Sequence, residues 1–164
     1  MLNEKFVKRC QKLAFYGVVE NDTVTYYRMS GFTEFSKKAN PKEYKRQYID
    51  EEHERNDVVG YSPVFSYEFD QFDGNKVHSD LAALADGEYT GTEAIRSIIV
   101  VDFTDKNDEA YGAVKRDFVV IPDSEGGSSE AYTYSGSFKA SGDKIIGTAT
   151  SNDNWKTLTF TEQQ

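Results

Sequence analysis

Residues 61–72, YSPVFSYEFDQF, alternate two kinds of side chain. Phe65, Tyr67 and Phe69 fall on one side, and Val64, Ser66, Glu68 and Asp70 on the other. Successive side chains of a strand point to opposite faces, so this spacing calls for a strand with an aromatic face against a core. Pro63 near its start suits an edge or a strand entry. The β signature recurs along the chain. Residues 15–20 and 23–33 flank Glu20-Asn21-Asp22, whose turn chemistry joins the two runs as a hairpin. Residues 94–103 (AIRSIIVVDF) and 113–122 (AVKRDFVVIP) are apolar strands with a turn at 105–108 between them. SEGGSS, 124–129, reads as a flexible tip. Residues 131–140 alternate again, and turns at 141–143 and 152–154 lead into runs 144–150 and 155–160.

One segment has a different period. Val77, Leu81 and Leu84 share a helical stripe, with Asn75 as N-cap and Gly87 as the left-handed residue that ends the helix. His78 is expected on the exposed side of this helix. Near the N-terminus Phe6, Val7, Cys10 and Leu13 fall at helical spacing among basic residues, which suits a short helix or an arm. About eight strands and one helix predict a mainly β fold, a two-sheet β-sandwich or barrel with one short flanking α-helix. A chain of 164 residues makes this a single domain over 1–164. No internal repeat recurs at a fixed period.

The stretch 36–57, SKKANPKEYKRQYIDEEHERND, breaks the pattern with six basic and six acidic side chains and no period-two alternation. It reads as a long charged loop. Connections of about twenty residues are uncommon in compact domains and tend to be functional or disordered. The two readings are a disordered linker and a loop that orders against a partner.

Composition excludes several classes. Net charge is −9; residues 1–57 are nearly balanced, while 58–164 hold eight basic and eighteen acidic groups. A nucleic-acid grip needs the opposite balance. No apolar run approaches the length of a membrane-spanning helix. MLNEKFVKRCQK carries charges where a signal peptide has its apolar region. The single cysteine, Cys10, forms no internal disulfide and fits a reducing cytosol. Eleven Tyr, eleven Phe and one Trp argue against disorder.

The search for chemistry returns little. The only histidines, His53 and His78, lie far in sequence from Cys10 and from each other, so zinc is not expected. Clustered carboxylates at 70–80 and 102–109 hint at calcium. Counting from Asp105, however, the sixth residue is Ala110 and the twelfth Arg116, where an EF-hand needs Gly and Glu. Nucleophile-elbow, P-loop and dinucleotide fingerprints are missing. Paired acids such as Glu51 and Glu52 arise by chance in so acidic a chain. No enzyme activity and no cofactor are expected.

The strings GFTEF, NPKEY, RQYIDE, DVVGYSP and SYEFDQ, followed by AIRSIIVVDF, AVKRDFVVIPDSEG and YSGSF, resemble the major tail proteins of long-tailed bacteriophages and prophages of Gram-positive bacteria. The resemblance spans roughly residues 29–138. It implies a tail tube subunit made in the host cytoplasm and located in the virion. In that family two packed sheets are flanked by a short helix, six copies form a ring, and rings stack into a tube through which DNA passes without specific binding. It also implies tape measure, tail terminator and distal tail proteins as partners. A long loop of that family reaches onto a neighbouring subunit, here 36–57. The implied interface residues are Pro41, Tyr44, Lys45, Arg46, Tyr48, Asp50, Glu51 and Arg55. An acidic lumen would repel phosphates, with Glu68, Asp70, Asp143 and Asp153 as candidates. The alternatives are another virion β-sandwich, such as a tail terminator or capsid decoration protein, and a carbohydrate-binding or lipocalin-like module.

Overall fold

The computed structural model describes residues 3–127 and 129–164; Met1, Leu2 and Ser128, which fall in the basic N-terminal segment and the expected SEGGSS tip, lie outside the described residues. Eleven strands and one α-helix follow in order: β1 (Lys12–Glu20), β2 (Thr23–Arg28), β3 (Phe32–Lys38), β4 (Pro41–Arg46), β5 (Arg55–Tyr61), β6 (Val64–Asp70), α1 (Lys76–Asp86), β7 (Ile95–Asn107), β8 (Ala110–Gly126), β9 (Thr133–Ala140), β10 (Ile145–Thr150) and β11 (Thr157–Glu162). The expected mainly β architecture with a single flanking helix is therefore present.

Nine strands form one sheet in the order β10-β11-β2-β1-β7-β8-β9-β6-β3, and β10 also pairs with β8. That extra pairing closes β10, β11, β2, β1, β7 and the first part of β8 into a six-stranded barrel. Strand β8 is long enough to leave the barrel. Tyr111 to Lys115 pair with β10, and Phe118 to Gly126 pair with β9. The sheet then continues through β6 to β3 as an open wing.

Two apolar fillings lie on opposite sides of β1 and β7. Phe15, Ile99, Val101, Ala113, Ala149 and Leu158 fill the barrel. Trp155 packs among Phe15, Phe103 and Tyr111, with ring centroids 4.9–6.2 Å apart. Its left-handed backbone, φ +63, is unusual for a bulky residue, and its N–H is held by Ser151 Oγ at 2.9 Å. The other filling gathers Ala14, Tyr16, Val18, Tyr67, Phe69, Phe138 and others under α1. Val77, Leu81 and Leu84 are buried there, as their spacing predicts; each contributes about 1.5–3 kcal/mol relative to exposure.

The helix ends are instructive. Asn75 caps as expected, accepting the N–H groups of Val77 and His78 through Oδ1. Gly87 is not left-handed: it sits at φ −82, and the left-handed residue is Glu88 at φ +51. Glycine is needed at 87 for room, since a Cβ there would lie 2.5 Å from the Tyr89 ring and 2.9 Å from the Ala83 carbonyl oxygen. His78 corrects the sequence reading. It is fully buried, stacked on Phe69 at 4.5 Å. Its Nδ1 accepts the Phe72 N–H at 3.0 Å, so Nε2 carries the proton that is donated to the Ser30 carbonyl at 2.7 Å. The helical stripe is wider than its aliphatic residues suggested, because the imidazole ties two loops together.

Three further expectations shift. The run 23–33 is two strands: β2 stops at Arg28, and Gly31 turns the chain at φ +77 into β3, which pairs with β6. A Cβ on Gly31 would lie 2.8 Å from His78 Cε1. The N-terminal segment, expected as a short helix or an arm, holds one 3-10 turn, Arg9–Gln11, after residues 3–8 without regular structure. The segment 36–57 is not a loop. It holds the end of β3, strand β4, an eight-residue tip over 47–54 and the start of β5, and β4 pairs with β5 as a separate two-stranded hairpin.

Two predictions follow from the helix. Asn75→Ala should cost about 1 kcal/mol, read as a lower urea midpoint with unchanged m. Burial holds His78 below its ordinary pKa of 6.5, so the unfolded chain takes up the proton more readily. Its contribution is complete above that pH and is lost as pH falls from it toward the folded value. His78→Gln keeps a donor and an acceptor, so it should lower stability at neutral pH yet flatten the acid-side decline in urea midpoint. An equally steep decline in the variant would contradict this.

Candidate assembly surfaces

Three surface features lack a covering element among the described residues. The first is the β4–β5 hairpin. Its strands pair only with each other. Tyr44, Tyr48, Ile49, Val58, Val59 and Tyr61 are all exposed on it, Ile49 completely. A two-stranded hairpin without a hydrophobic face is marginal in water. This one is held locally. The Arg46 guanidinium lies 5.1 Å from the Tyr44 ring centre and 5.5 Å from that of Tyr48, and it pairs with Asp57. The Arg55 guanidinium lies 5.5 Å from the Tyr48 ring centre and grips Glu51 with two bonds of 2.6 and 2.7 Å. Such exposed pairs are largely screened by solvent and brace the hairpin only locally.

The structure thus brings together Tyr44, Arg46, Tyr48, Glu51 and Arg55 as an internal network. Lys45 pairs with Glu43 at 3.7 Å, Pro41 opens β4 opposite Tyr61, and Asp50 is exposed in the tip. Sequence reasoning singled out these residues without seeing that five of them, Tyr44, Arg46, Tyr48, Glu51 and Arg55, first brace the hairpin itself. It missed Val58, Val59 and Tyr61, whose exposed side chains on β5 follow a charged run and look like an ordinary strand start.

The second feature is a pair of open sheet edges. Strand β3 ends the nine-stranded sheet, so one edge of Phe32–Lys38 carries no strand. At the other side of the wing, β7 pairs with β8 only as far as Val119, and residues 120–126 of β8 continue with β9 alone. The wing β8-β9-β6-β3 therefore has two free edges, one on each side. Natural proteins usually block such edges, because they template pairing with another chain.

The third is the outer face of that wing. Phe65, Tyr67 and Phe69 turn inward, so Ser66, Glu68 and Asp70 turn outward. Glu34 stands opposite Glu68, and Ser36 opposite Ser66. On the other flank Ser135, Ser137 and Thr133 oppose Glu68, Ser66 and Asp70. The face is hydroxyl-rich and acidic. Of the four acidic candidates, Glu68 and Asp70 share it. Asp143 lies in the exposed turn between β9 and β10, and Asp153 staples the turn before β11. Hydrogen bonds from the Thr157 side chain and N–H, then from Ser151, hold the Asp153 carboxyl at about 2.

A partly buried ionic network joins Arg96, Asp80 and Tyr16, with Arg96 Nε 2.7 Å and the Tyr16 hydroxyl 2.5 Å from Asp80 Oδ2. Burial first, and Asp80 second, push the Tyr16 hydroxyl well above its ordinary pKa, so it remains a donor that pins α1 to β1 and β7. Among the described residues no three His, Cys, Asp or Glu side chains gather as a metal site, and no helix is long and apolar enough to cross a membrane.

No protein-family model matches the chain, and no curated protein matches it in sequence. Solved structures do share its fold. A chain of the anti-feeding prophage baseplate superposes with a TM-score of 0.51 at 8% identity, covering 88% of this chain and 97% of that one. A chain from the sheath/tube terminator structure of an extracellular contractile injection system does so with a TM-score of 0.51 at 12% identity, covering 88% and 99%. The protein thus has the fold found in chains of two phage-like injection assemblies.

Proposed function

We propose that this protein is a structural subunit of a phage-type tail, and that copies of it close into six-membered rings which stack as a hollow tube for DNA. The observation that carries the reading is the joint presence of a projecting, partnerless hairpin and two free edges on one four-stranded wing. Edges at both sides of a wing let the sheet of one copy continue into the next, and a ring is the arrangement that leaves none open. The wing's outer face, with Glu34, Glu68 and Asp70 among serines, then lines the lumen and repels phosphates. The hairpin reaches a neighbouring copy. Its exposed apolar residues become the buried anchors, and its charges set register more than affinity. The sequence strings described above and the shared fold support the same reading.

A second reading, a tail terminator, is favoured by the terminator structure among the fold relatives. A terminator forms rings and stops; a tube protein grows without a set length.

Electron microscopy of the concentrated, purified chain separates the two. Tubes of variable length with a central channel are expected; single rings would favour the terminator, and solitary particles at every concentration would refute both. Replacing residues 42–60 by a short Gly-Ser turn should abolish assembly while leaving the thermal midpoint of the monomer nearly unchanged. Assembly that survives this deletion would remove the hairpin from the reading. Amide exchange over residues 36–57 should slow on polymerisation.

A further inference from the structure

The hairpin tip needs a receptor, and one surface of the molecule has the matching chemistry. A cleft of about 1040 Å³ opens between β3 and the outer side of β7, β8 and β10, with the N-terminal segment along its rim. That volume exceeds the range of about 300–1,000 Å³ usual for small-ligand sites, and suits a piece of polypeptide. Its apolar lining includes Val100, Val114 and Ile146; Val114 is 37% and Ile146 50% exposed. Both face water although they stand on strands whose opposite sides fill the barrel.

Charge distinguishes this cleft from the rest of the chain. Lys8, Arg9, Lys12, Lys37, Arg116 and Lys144 line it, against the acids Asp102, Asp105 and Glu162. It is a net positive site on a molecule of net charge −9. Lys12 is partly neutralised by Asp102 at 3.9 Å, and Arg116 donates to the Gly142 carbonyl. Among the described residues no carboxylate pairs with Lys8, Lys37 or Lys144.

The tip is its complement. Ile49 is fully exposed, and it is flanked by Asp50, Glu51, Glu52 and Glu54. Glu51 is taken by Arg55, while Asp50, Glu52 and Glu54 have no basic partner among the described residues. An apolar knob ringed by free carboxylates matches an apolar floor ringed by free ammonium groups. No tip residue lines the cleft of its own chain.

We propose that the cleft receives the hairpin tip of a second copy, with Ile49 on the Val114–Ile146 floor and Glu52 and Glu54 against Lys37 and Lys144. The inference rests on the self-assembly reading above and names the surface through which it acts.

Charge reversal tests it in the full chain. All four residues are exposed, so the variants should keep the wild-type circular dichroism and thermal midpoint. K37E/K144E and E52K/E54K should each raise the concentration needed for assembly by about tenfold or more. The combined four-residue variant should return to within about threefold of wild type, since its contacts are restored with the signs exchanged. A second measurement uses Cys10, which is exposed beside Arg9 at the rim. In I49C, mild oxidation of the assembled protein should join the tip of one copy to Cys10 of another, identified by peptide mass spectrometry. If the combined variant assembles no better than its parents while wild type polymerises, the cleft is not the receptor and only this inference falls. Disulfides that link tip to tip alone would overturn it equally. If both charge-reversed variants assemble normally and a small molecule shifts the melting point through the cleft, the site belongs to that ligand. A wild-type chain that stays monomeric defeats both proposals.

Discussion

The middle of strand β1 and residues 98–101 of β7 are packed on both faces, and the rest of the molecule is arranged around that constraint. Along β1 the side chains alternate between two fillings: Ala14, Tyr16 and Val18 face α1, while Phe15, joined by Leu13, faces the barrel. Ile98 and Ile99 divide in the same way on β7. Antiparallel sheets usually keep one face in water. Here a one-residue slip would exchange the two fillings and force Tyr16, whose hydroxyl is committed to Asp80, into the barrel interior. Register is therefore fixed twice. The long strand β8 is the consequence: it pairs with β7 inside the barrel, then leaves to found the wing.

The wing and the hairpin contrast with this core. The wing has a core face, but neither of its edges carries a further strand, and on β3 the Phe35 carbonyl takes the Arg9 guanidinium at 2.8 Å instead. The hairpin has no core face at all and is ordered by stacking of Arg46 and Arg55 on Tyr48 and by short-range ion pairs. Stability is concentrated where a single chain can satisfy itself. The parts left unsatisfied are those that a neighbour would complete, and their low local stability suits elements that order on contact.

Much of the fold was legible because the core strands obey simple periods. The stripe of Val77, Leu81 and Leu84 placed α1 to within a residue at each end, and the alternation in 64–70 found β6, although the expected strand 61–72 ran two or three residues past it at either end. What escaped had physical causes. His78 looked solvent-facing because its burial depends on two loop groups, the Phe72 N–H and the Ser30 carbonyl, that only tertiary structure brings near. The break at Gly31 was hidden inside a continuous β-favouring run. The hairpin gave no strand signal because alternation records a buried face, and neither of its faces is buried in the single chain. Of the candidate site residues, Glu68 and Asp70 could be assigned to one face by parity, whereas Asp143 and Asp153 sit in turns, where parity says nothing.

The acidic face itself carries a cost that a purely structural sheet would avoid. Glu34 and Glu68 stand directly opposite each other on neighbouring strands, an arrangement that opposes pairing. The adjoining rows offer Ser36, Ser66 and Ser137, with no basic residue beside the two glutamates; the nearest lysines of this face, Lys38 and Lys139, lie at its other end, opposite Val64. A lysine at 34 would relieve the repulsion and strengthen the edge. Local rules of this kind are broken chiefly where a surface has another duty. Under the tube reading proposed above, two uncompensated carboxylates among small hydroxyls would suit a wall that a polyanion slides along, since a cation there would hold the passing phosphates.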